Sequence, residues 1–254
     1  MEEIMKKLAA LFMVFVMAVS ICVPLGGKAE KKQKETKKAE VAEEESKLIV
    51  IDAGHQGKGN SSLEPIGPGA KQKKAKVASG TTGKWSKTPE YKLTLKVSKK
   101  LKTELEERGY TVKMIRTSHK VNISNSERAK KANKWKADAF IRIHANGSTS
   151  SSVSGALTMA PANGNKYMSS SNVKKSQKLS KSVIKAFCKA TGAKNQGVMK
   201  TNSMSGINWC KVPVTIVEMG YMTNKNEDLK MAKSSYQKKM VAGIADGLDK
   251  YFGK

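Results

Sequence analysis

The chain has 254 residues, of which 48 are Lys or Arg and 21 are Asp or Glu, so its formal net charge is +27. Residues 1–29 hold three lysines against two glutamates and residues 30–47 hold six of each, which leaves +26 on residues 48–254. A charge this large predicts a polyanionic partner, but aromatic residues make up only 6% of the chain, which argues against a stacking surface for nucleic acid.

The first 47 residues predict two segments outside the folded core. Lys6 and Lys7 precede eighteen mostly apolar residues over 8–25, a pattern typical of a secretory signal peptide over 1–29. An uncleaved membrane anchor is the alternative, because eighteen residues reach the lower limit for a spanning helix. Residues 30–47 are rich in Lys and Glu and predict a flexible charged linker. We therefore expect a secreted protein.

The folded part, 48–254, begins with an apolar run, LIVIDAG at 48–54, which predicts a buried strand. The next stretch, 56–89, is rich in Gly, Ser and Lys and predicts a long loop. Glu64 precedes a proline in this loop and is expected to be a solvated acid.

A helix is predicted to start near Thr88, with Thr88 as its N-cap and Pro89 at its first position. Its buried face is marked by leucines and a valine at four-residue steps, and Glu90 lies on that same face. A carboxylate that faces a core needs a partner.

The rest of the chain alternates between strand and helix. The patterns predict a strand at 110–116, a helix at 125–136, a strand at 138–144, a strand near 155–160, a helix at 172–190, a strand at 212–218 and a helix at 234–252. Such an alternation predicts an α/β fold, with a single domain in which a mixed, mostly parallel twisted sheet is flanked by helices on both faces.

Two histidines come at the ends of predicted strands, His55 after 48–54 and His144 at the end of 138–144. Ligands collect where the strands of an α/β sheet end, so the two histidines predict one shared site, most simply a metal site. Catalytic zinc commonly takes two His and one Glu. Glu90 is the preferred third ligand and Glu64 is the reserve, while the alternative is that these residues are purely structural.

Glu218 ends a β-branched run in which alternate residues predict a buried stripe. A buried acid at a strand end can move protons, which a zinc-activated water and a leaving nitrogen both require. Arg142 and Asn146 flank His144 and could contact substrate or orient the ligand. His119 lies in a polar loop and is expected to be exposed rather than a ligand.

Two cysteines remain in the folded part, Cys188 and Cys210. They could pair in an oxidising compartment or stay as free thiols, and the sequence leaves both readings open.

Four separated segments are DAGHQGKGN, PEYKLTLKVSKKLKTELEERGYTVKMIRTS, SERAKKANKWKADAFIRIHANGS and VPVTIVEMGYMTNKNED. In order and character they resemble the zinc-dependent N-acetylmuramoyl-L-alanine amidases, the amidase-3 family of cell-wall hydrolases. The resemblance covers nearly all of 48–254 and implies zinc ligands at His55, Glu90 and His144. It implies that Glu218 is the catalytic acid and base. The stretch between His55 and Glu90 is longer here than in compact members of the family.

The resemblance implies hydrolysis of the amide between the lactyl group of N-acetylmuramic acid and L-alanine of the stem peptide. It also implies one zinc ion per chain and peptidoglycan as the substrate, and we expect a monomer. Anionic wall polymers fit the large positive charge. Two alternatives stay open: a zinc peptidase that acts within the stem peptide, and a non-catalytic wall-binding relative.

Overall fold

The computed structural model describes residues 46–254. The predicted signal peptide over 1–29 and nearly all of the predicted linker over 30–47 lie outside the described residues. Within 46–254, no helix combines the length and apolar character needed to span a bilayer. The first described residue already contacts the rest of the fold, because the Ser46 hydroxyl donates to the carbonyl oxygen of Gly109 at 2.7 Å.

The strands of the described residues form one large sheet and one hairpin. They are β1 (Leu48–Ala53), β2 (Asn60–Pro65), β3 (Lys73–Val77), β4 (Thr111–Met114), β5 (Ala139–Asn146), β6 (Ala156–Pro161), β7 (Asn195–Thr201) and β8 (Val214–Tyr221). The six-stranded sheet has the order β4-β1-β5-β8-β6-β7, and β2 pairs with β3. Strands β4, β1, β5 and β8 are parallel, β6 is antiparallel to β8, and β7 is parallel to β6. The predicted mixed, mostly parallel sheet is confirmed.

Helices cover both faces of the sheet, as predicted. They are α1 (Glu90–Glu107), α2 (Asn125–Lys134), α3 (Ser170–Thr191), α4 (Ser205–Asn208), α5 (Lys225–Ala232) and α6 (Ser234–Phe252). Helices α1, α3 and α6 bury their apolar stripes in one core cluster, and α2 and α4 contribute to a second cluster on the other face. Helix α2 begins with the capping box that Ser124 and Glu127 form.

The pleat of the sheet positions the polar residues. Ile141 and Ile143 of β5 face the cluster of α1, α3 and α6, while Phe140 faces the second cluster. Because side chains alternate along a strand, Arg142 and His144 continue the Phe140 face toward the carboxyl end of β5. This face is therefore apolar where the strand begins and polar where it ends.

Several elements differ from the predictions. The predicted loop at 56–89 contains the β2–β3 hairpin, and β7, α4 and α5 were not predicted. Strand β7 is an edge strand without an alternating apolar pattern, with burial from exposed to half-buried along its length. Helix α1 begins at Glu90 and its N-cap is Pro89 rather than Thr88.

The two cysteines of the folded part are free thiols. Cys188 packs against the core cluster of α1, α3 and α6, whereas Cys210 is part of the cluster on the opposite face. The sheet lies between them, so the disulfide reading is excluded.

Candidate active site

The stretch between β1 and α1 builds a folded wall beside the carboxyl ends of the central strands. Its hairpin is antiparallel, with a register shift between Asn60 and Leu63. The indole nitrogen of Trp209 donates to the carbonyl oxygen of Pro65 at 2.9 Å, which fixes the end of β2. Val77, at the end of β3, is 3% exposed and lines the cavity described below.

Glu64 corrects a prediction. The sequence predicts a solvated loop acid and a reserve metal ligand, but the side chain lies in β2 and is 4% exposed. Its Oε1 accepts a hydrogen bond from the backbone nitrogen of Ser126 at 3.1 Å, in the first turn of α2. A carboxylate is stabilised there by the partial positive charge of the helix N-terminus. Glu64 anchors the hairpin and is not part of the His and Glu group at the strand ends.

His55 follows β1 in a left-handed backbone conformation, with φ of 59°. Such a conformation costs a residue with a Cβ about 1–2 kcal/mol. Contacts hold it in place: Arg128 donates to the His55 carbonyl oxygen at 3.0 Å. The ring nitrogen Nδ1 lies 2.8 Å from the carbonyl oxygen of Ala78. Because a carbonyl only accepts, Nδ1 carries a proton and Nε2 of the neutral ring presents a lone pair.

Glu90, the first residue of α1, is 3% exposed and fully engaged. Its Oε2 accepts from the backbone nitrogen of Thr81 at 2.9 Å, and Oε1 accepts from that of Ala145 at 3.0 Å. Gly80 has φ of 83°, and a Cβ there would lie 2.9 Å from both Glu90 Oε2 and His55 Cγ. The segment 78–81 therefore supports Glu90 and His55 from outside.

His144 lies near the end of β5, and its ring depends on a glycine for space. A Cβ on Gly54 would overlap the His144 ring. The rings of His144 and His55 meet edge to face, with centroids 4.8 Å apart. The polar contacts of His144 lie on its Nδ1 side, and Nε2 is buried without a hydrogen-bond partner among residues 46–254.

The three side chains converge on one point. His144 Nδ1 is 3.1 Å from His55 Nε2 and 3.2 Å from Glu90 Oε1, and His55 Nε2 is 3.1 Å from Glu90 Oε1. If His144 Nδ1 carries a proton, it can donate to Glu90 Oε1 or to His55 Nε2. The lone pair of His55 Nε2 would still face the carboxylate oxygen Glu90 Oε1, which is unfavourable. A cation would satisfy all three atoms, and their separations fit ligands that share an ion at about 2.0–2.1 Å. The arrangement can therefore hold a metal, and its donor set is one that catalytic zinc uses.

The charge states of this group suit metal ligands. Burial opposes the charged form of Glu90, but the hydrogen bond from His144 is foremost among the interactions that outweigh it and hold the Glu90 pKa well below its usual range. Burial lowers the pKa of His144 to about 4, against the opposing effect of its hydrogen bond to Glu90. At neutral pH the site thus offers a carboxylate and a neutral imidazole, as metal binding requires.

Glu218 pairs with His144 in the register of β5 and β8 and lines the same cavity. Ile216, two residues earlier, is 4% exposed, so the predicted stripe is buried, but Glu218 at its end is only half-buried. Burial raises the pKa of Glu218 to about 8, with a further contribution from the Glu90 carboxylate and an opposing one from Arg142. A cation held nearby would lower that pKa.

Three buried arginines surround one carboxylate beneath the site. Asp52 is fully buried and pairs with Arg128 at 2.6 Å and with Arg142 at 2.9 Å. Arg116 is 3% exposed and donates to backbone carbonyl oxygens, with no carboxylate partner in the described part of the chain. Sequence analysis missed this cluster. The signal for it was an acid inside the apolar run LIVIDAG, since a buried charge needs an opposite charge.

A cavity of about 310 Å³ opens above these residues. Its lining includes His55, Glu90, His144 and Glu218, together with Arg142 and, from β3 of the hairpin, Lys74. The hairpin therefore forms one side of the cavity.

The remaining candidates differ in their placement. Arg142 and Asn146 both line the cavity, but the Asn146 side chain accepts from the backbone nitrogen of Gly147 at 2.8 Å and makes no hydrogen bond to His144 within residues 46–254. His119 is half-buried rather than exposed, and its ring meets Tyr91 edge to face at 5.1 Å. It lies outside the His55, Glu90 and His144 group.

Known proteins resemble this chain over most of its length. It is 27% identical over 204 residues to the N-acetylmuramoyl-L-alanine amidase LytC of Bacillus subtilis (strain 168), a match that covers 80% of this chain and 35% of LytC. It is 28% identical over 208 residues to the probable cell wall amidase LytH of Staphylococcus epidermidis, covering 81% of this chain and 58% of LytH. The chain thus spans about a third of LytC and a little over half of LytH.

A solved structure and a family profile agree with these matches. The catalytic domain of CwlV, an N-acetylmuramoyl-L-alanine amidase from Bacillus (Paenibacillus) polymyxa var. colistinus, is 26% identical with a TM-score of 0.65, covering 82% of this chain and 98% of that domain. The profile described as N-acetylmuramoyl-L-alanine amidase, Amidase_3, matches residues 49–250. The chain therefore belongs to the Amidase_3 family of N-acetylmuramoyl-L-alanine amidases.

Proposed function

We propose that this protein is a zinc-dependent peptidoglycan hydrolase that cleaves the amide between N-acetylmuramic acid and L-alanine of the stem peptide. The observation that carries the proposal is the convergence of His55, Glu90 and His144 at 3.1–3.2 Å, with Glu218 beside them, in a chain of this family. The relatives named above are described as an N-acetylmuramoyl-L-alanine amidase and a probable cell wall amidase, which agrees with this bond.

His55, Glu90 and His144 would hold one zinc ion per chain. When bound, the ion would polarise the amide carbonyl and make a water molecule easier to deprotonate. The segment 78–81 would keep the ligands in place, because Ala78 fixes the proton of His55 on Nδ1 and Thr81 holds the second oxygen of Glu90. Arg142 would act on the substrate side of the cavity, and Asn146 would be a further contact there.

Glu218 is the proposed general base and general acid. It takes a proton from the attacking water and returns it to the leaving nitrogen of L-alanine as the C–N bond breaks. The products are a free lactyl carboxyl group on the glycan and a stem peptide with a free amino terminus. Burial raises the pKa of Glu218 and a bound cation would lower it, and a carboxyl group whose pKa lies near the working pH can serve in both directions.

The proposed site of action is outside the cytoplasm. Residues 1–29 would direct export, residues 30–47 would link, and residues 48–254 would form the catalytic domain as a monomer. The +26 charge of the catalytic domain would hold it to anionic wall polymers rather than to nucleic acid.

Mass spectrometry of peptidoglycan digested by purified residues 46–254 tests the proposal. In the presence of zinc, we expect stem peptides that start at L-alanine and glycans with an intact lactyl group. Both products should disappear in chelator and return when zinc is added back. Cuts within the stem peptide would replace the amidase by a zinc peptidase. Binding to the wall without any cut would leave a non-catalytic wall-binding relative.

A further inference from the structure

One buried guanidinium presents a free donor to the cavity. Arg142 is 3% exposed, its Nε donates to Asp52 at 2.9 Å, and its Nη2 donates to Asn125 Oδ1 at 2.8 Å. Its Nη1 donates to no residue within 46–254, yet it is not cut off from solvent, and Arg142 lines the cavity. Nη1 is therefore positioned to bind a molecule that enters the cavity.

The neighbouring backbone leaves room for this guanidinium. Gly206 in α4 lies so close that an added Cβ would overlap Arg142 Nη1. With Asp52 and Asn125 holding the other two nitrogens, the direction of Nη1 is fixed by three separate elements of the fold. Such a preorganised donor loses little freedom when it binds an acceptor.

The charge around Arg142 favours an anion. Arg116, Arg128 and Arg142 are each at most 3% exposed, and Asp52 is the carboxylate that pairs with the latter two. Positive charge thus exceeds negative charge among these four side chains, and buried charge is costly unless it is paired. The carboxyl groups of Glu90 and Glu218 line the same cavity, so an anion is favoured at Arg142 Nη1 itself rather than throughout the cavity. The hairpin adds Lys74, an exposed cation that lines the other side of the cavity.

Arg142 lies one strand step away from the proposed metal ligand. It and His144 are two residues apart on the same face of β5, so their Cα atoms are about 6.6 Å apart. Consecutive Cα atoms of a bound peptide are about 3.8 Å apart. When the scissile amide lies at His144 and Glu218 and the stem peptide extends toward Arg142, a group carried by the residue after L-alanine falls within reach of Arg142.

We propose that Arg142 binds the free α-carboxylate of the stem-peptide residue that follows L-alanine. That residue is linked onward through its side-chain carboxyl, so its α-carboxyl group is either free or amidated, and a guanidinium distinguishes these two states by charge and by paired hydrogen bonds. This inference rests on the proposed function and names the feature of the substrate that the site selects.

A matched pair of substrates tests it. Both are soluble N-acetylmuramoyl-L-alanyl-D-glutamates with the γ-carboxyl amidated, and they differ only in a free α-carboxylate against an α-carboxamide. We expect the zinc-loaded protein to favour the carboxylate by about 10–100-fold in kcat/KM, because hydrogen bonds to charged groups are the stronger ones. Equal rates, or a preference for the amide, would overturn the inference.

Variants assign the preference to one side chain. Arg142→Lys keeps a positive charge beside Asp52, and Gly206→Ala keeps the arginine but displaces Nη1. In each variant the ratio of kcat/KM for the carboxylate to that for the carboxamide should fall close to one. Thermal melting should show that both variants are folded. Lys74→Ala is the matched control, since it removes the other cation of the lining, and it should keep the preference. A preference lost in Lys74→Ala and kept in the other two would assign the carboxylate to Lys74 and refute the role of Arg142.

Failure of the function and failure of the inference give different results. If wild-type protein cuts neither substrate, the proposed function fails. Binding of the dipeptide products L-alanyl-D-glutamate γ-amide and its α-carboxamide, followed by NMR titration, then still decides the inference: tighter binding of the carboxylate that depends on Arg142 supports it, and equal binding contradicts it.

Discussion

The two faces of the central sheet differ in the side chains that they bury, which are uncharged on one face and partly charged on the other. The face under α1, α3 and α6 is mostly apolar, with Ile51 and Ile143 at 0% exposure, and its buried polar groups, such as Thr215, are uncharged. The opposite face starts apolar at Phe140 but ends in Asp52 and Arg142, which are buried charges. The same strands contribute to both faces, and the pleat separates them. One face can therefore be optimised for packing while the other carries charged groups that packing alone would disfavour.

The largest expected effect concerns the polar face. Glu218→Gln should reduce turnover by about 10²–10⁴-fold, because the proposed proton carrier is lost while the shape is kept. Zinc should still bind in a competition with a chromophoric chelator, since Glu218 is outside the ligand group. His144→Ala is the comparison variant and should lose both zinc and turnover. Near-normal turnover in Glu218→Gln would remove this residue from the mechanism.

The two faces should respond differently to destabilisation. Leu101→Ala, in the apolar face, should lower the free energy of unfolding by about 2–5 kcal/mol through the cavity that it leaves. Asp52→Asn should cost a similar 3–5 kcal/mol, because Arg128 and Arg142 lose their carboxylate partner. Urea denaturation measures both losses.

Activity then separates the two variants. Leu101→Ala should keep its zinc affinity and its kcat/KM at a temperature where it is folded, whereas Asp52→Asn should lose kcat/KM because Arg142 is no longer held. Equal losses of kcat/KM in the folded variants would mean that the faces are not independent.

The strands and their alternation explain what could be predicted from the sequence. Runs such as LIVIDAG and ADAFIRI predict buried strands and place His55 and His144 at their ends, because apolar periodicity reports burial directly. The hairpin escaped prediction because β2, NSSLEP, has little apolar pattern and is held by single contacts such as Glu64 to the start of α2. Long-range polar pairing of this kind leaves almost no local signal.

The sequence could indicate that Asp52 needs an opposite charge, but it could not identify the arginines that supply that charge. Asp52 meets Arg128 and Arg142 from positions 76 and 90 residues away, so the three are brought together only by the fold. The same holds for Gly80, whose importance comes from the ring and carboxylate packed against it.

Gly80→Ala should show a smaller, more local effect that belongs to the polar face. Gly69→Ala is the matched control, because Gly69 also has positive φ, 70° against 83°, but nothing lies within 4 Å of its added Cβ. Both variants should lose about 1–2 kcal/mol of stability from backbone strain. Only Gly80→Ala should also lose zinc affinity, by about 10–100-fold, since it displaces Glu90 and His55. Equal zinc affinities in the two variants would show that segment 78–81 does not support the ligands.

The last expected effect is the pH dependence of stability without metal. The pKa of Glu218 is raised from 4.5 to about 8 in the folded protein, so between these values the folded state holds a proton that the unfolded state has released. Wild-type protein in chelator should therefore lose stability as the pH rises through this window. Glu218→Gln has no such group and should gain relative to wild type by at most about 1.4 kcal/mol per pH unit, with no further gain above the window.

Two comparisons sharpen this last measurement. His144, whose pKa is lowered to about 4, changes stability in the opposite direction between pH 4 and 6.5, but it is present in both proteins and cancels in their difference. Saturating zinc should shrink the difference, because the cation lowers the pKa of Glu218 and removes the cost of its charge. Urea midpoints are measured for the two proteins from pH 5 to 9, with and without zinc. If the midpoints shift in parallel, ionisation of Glu218 does not destabilise the folded state.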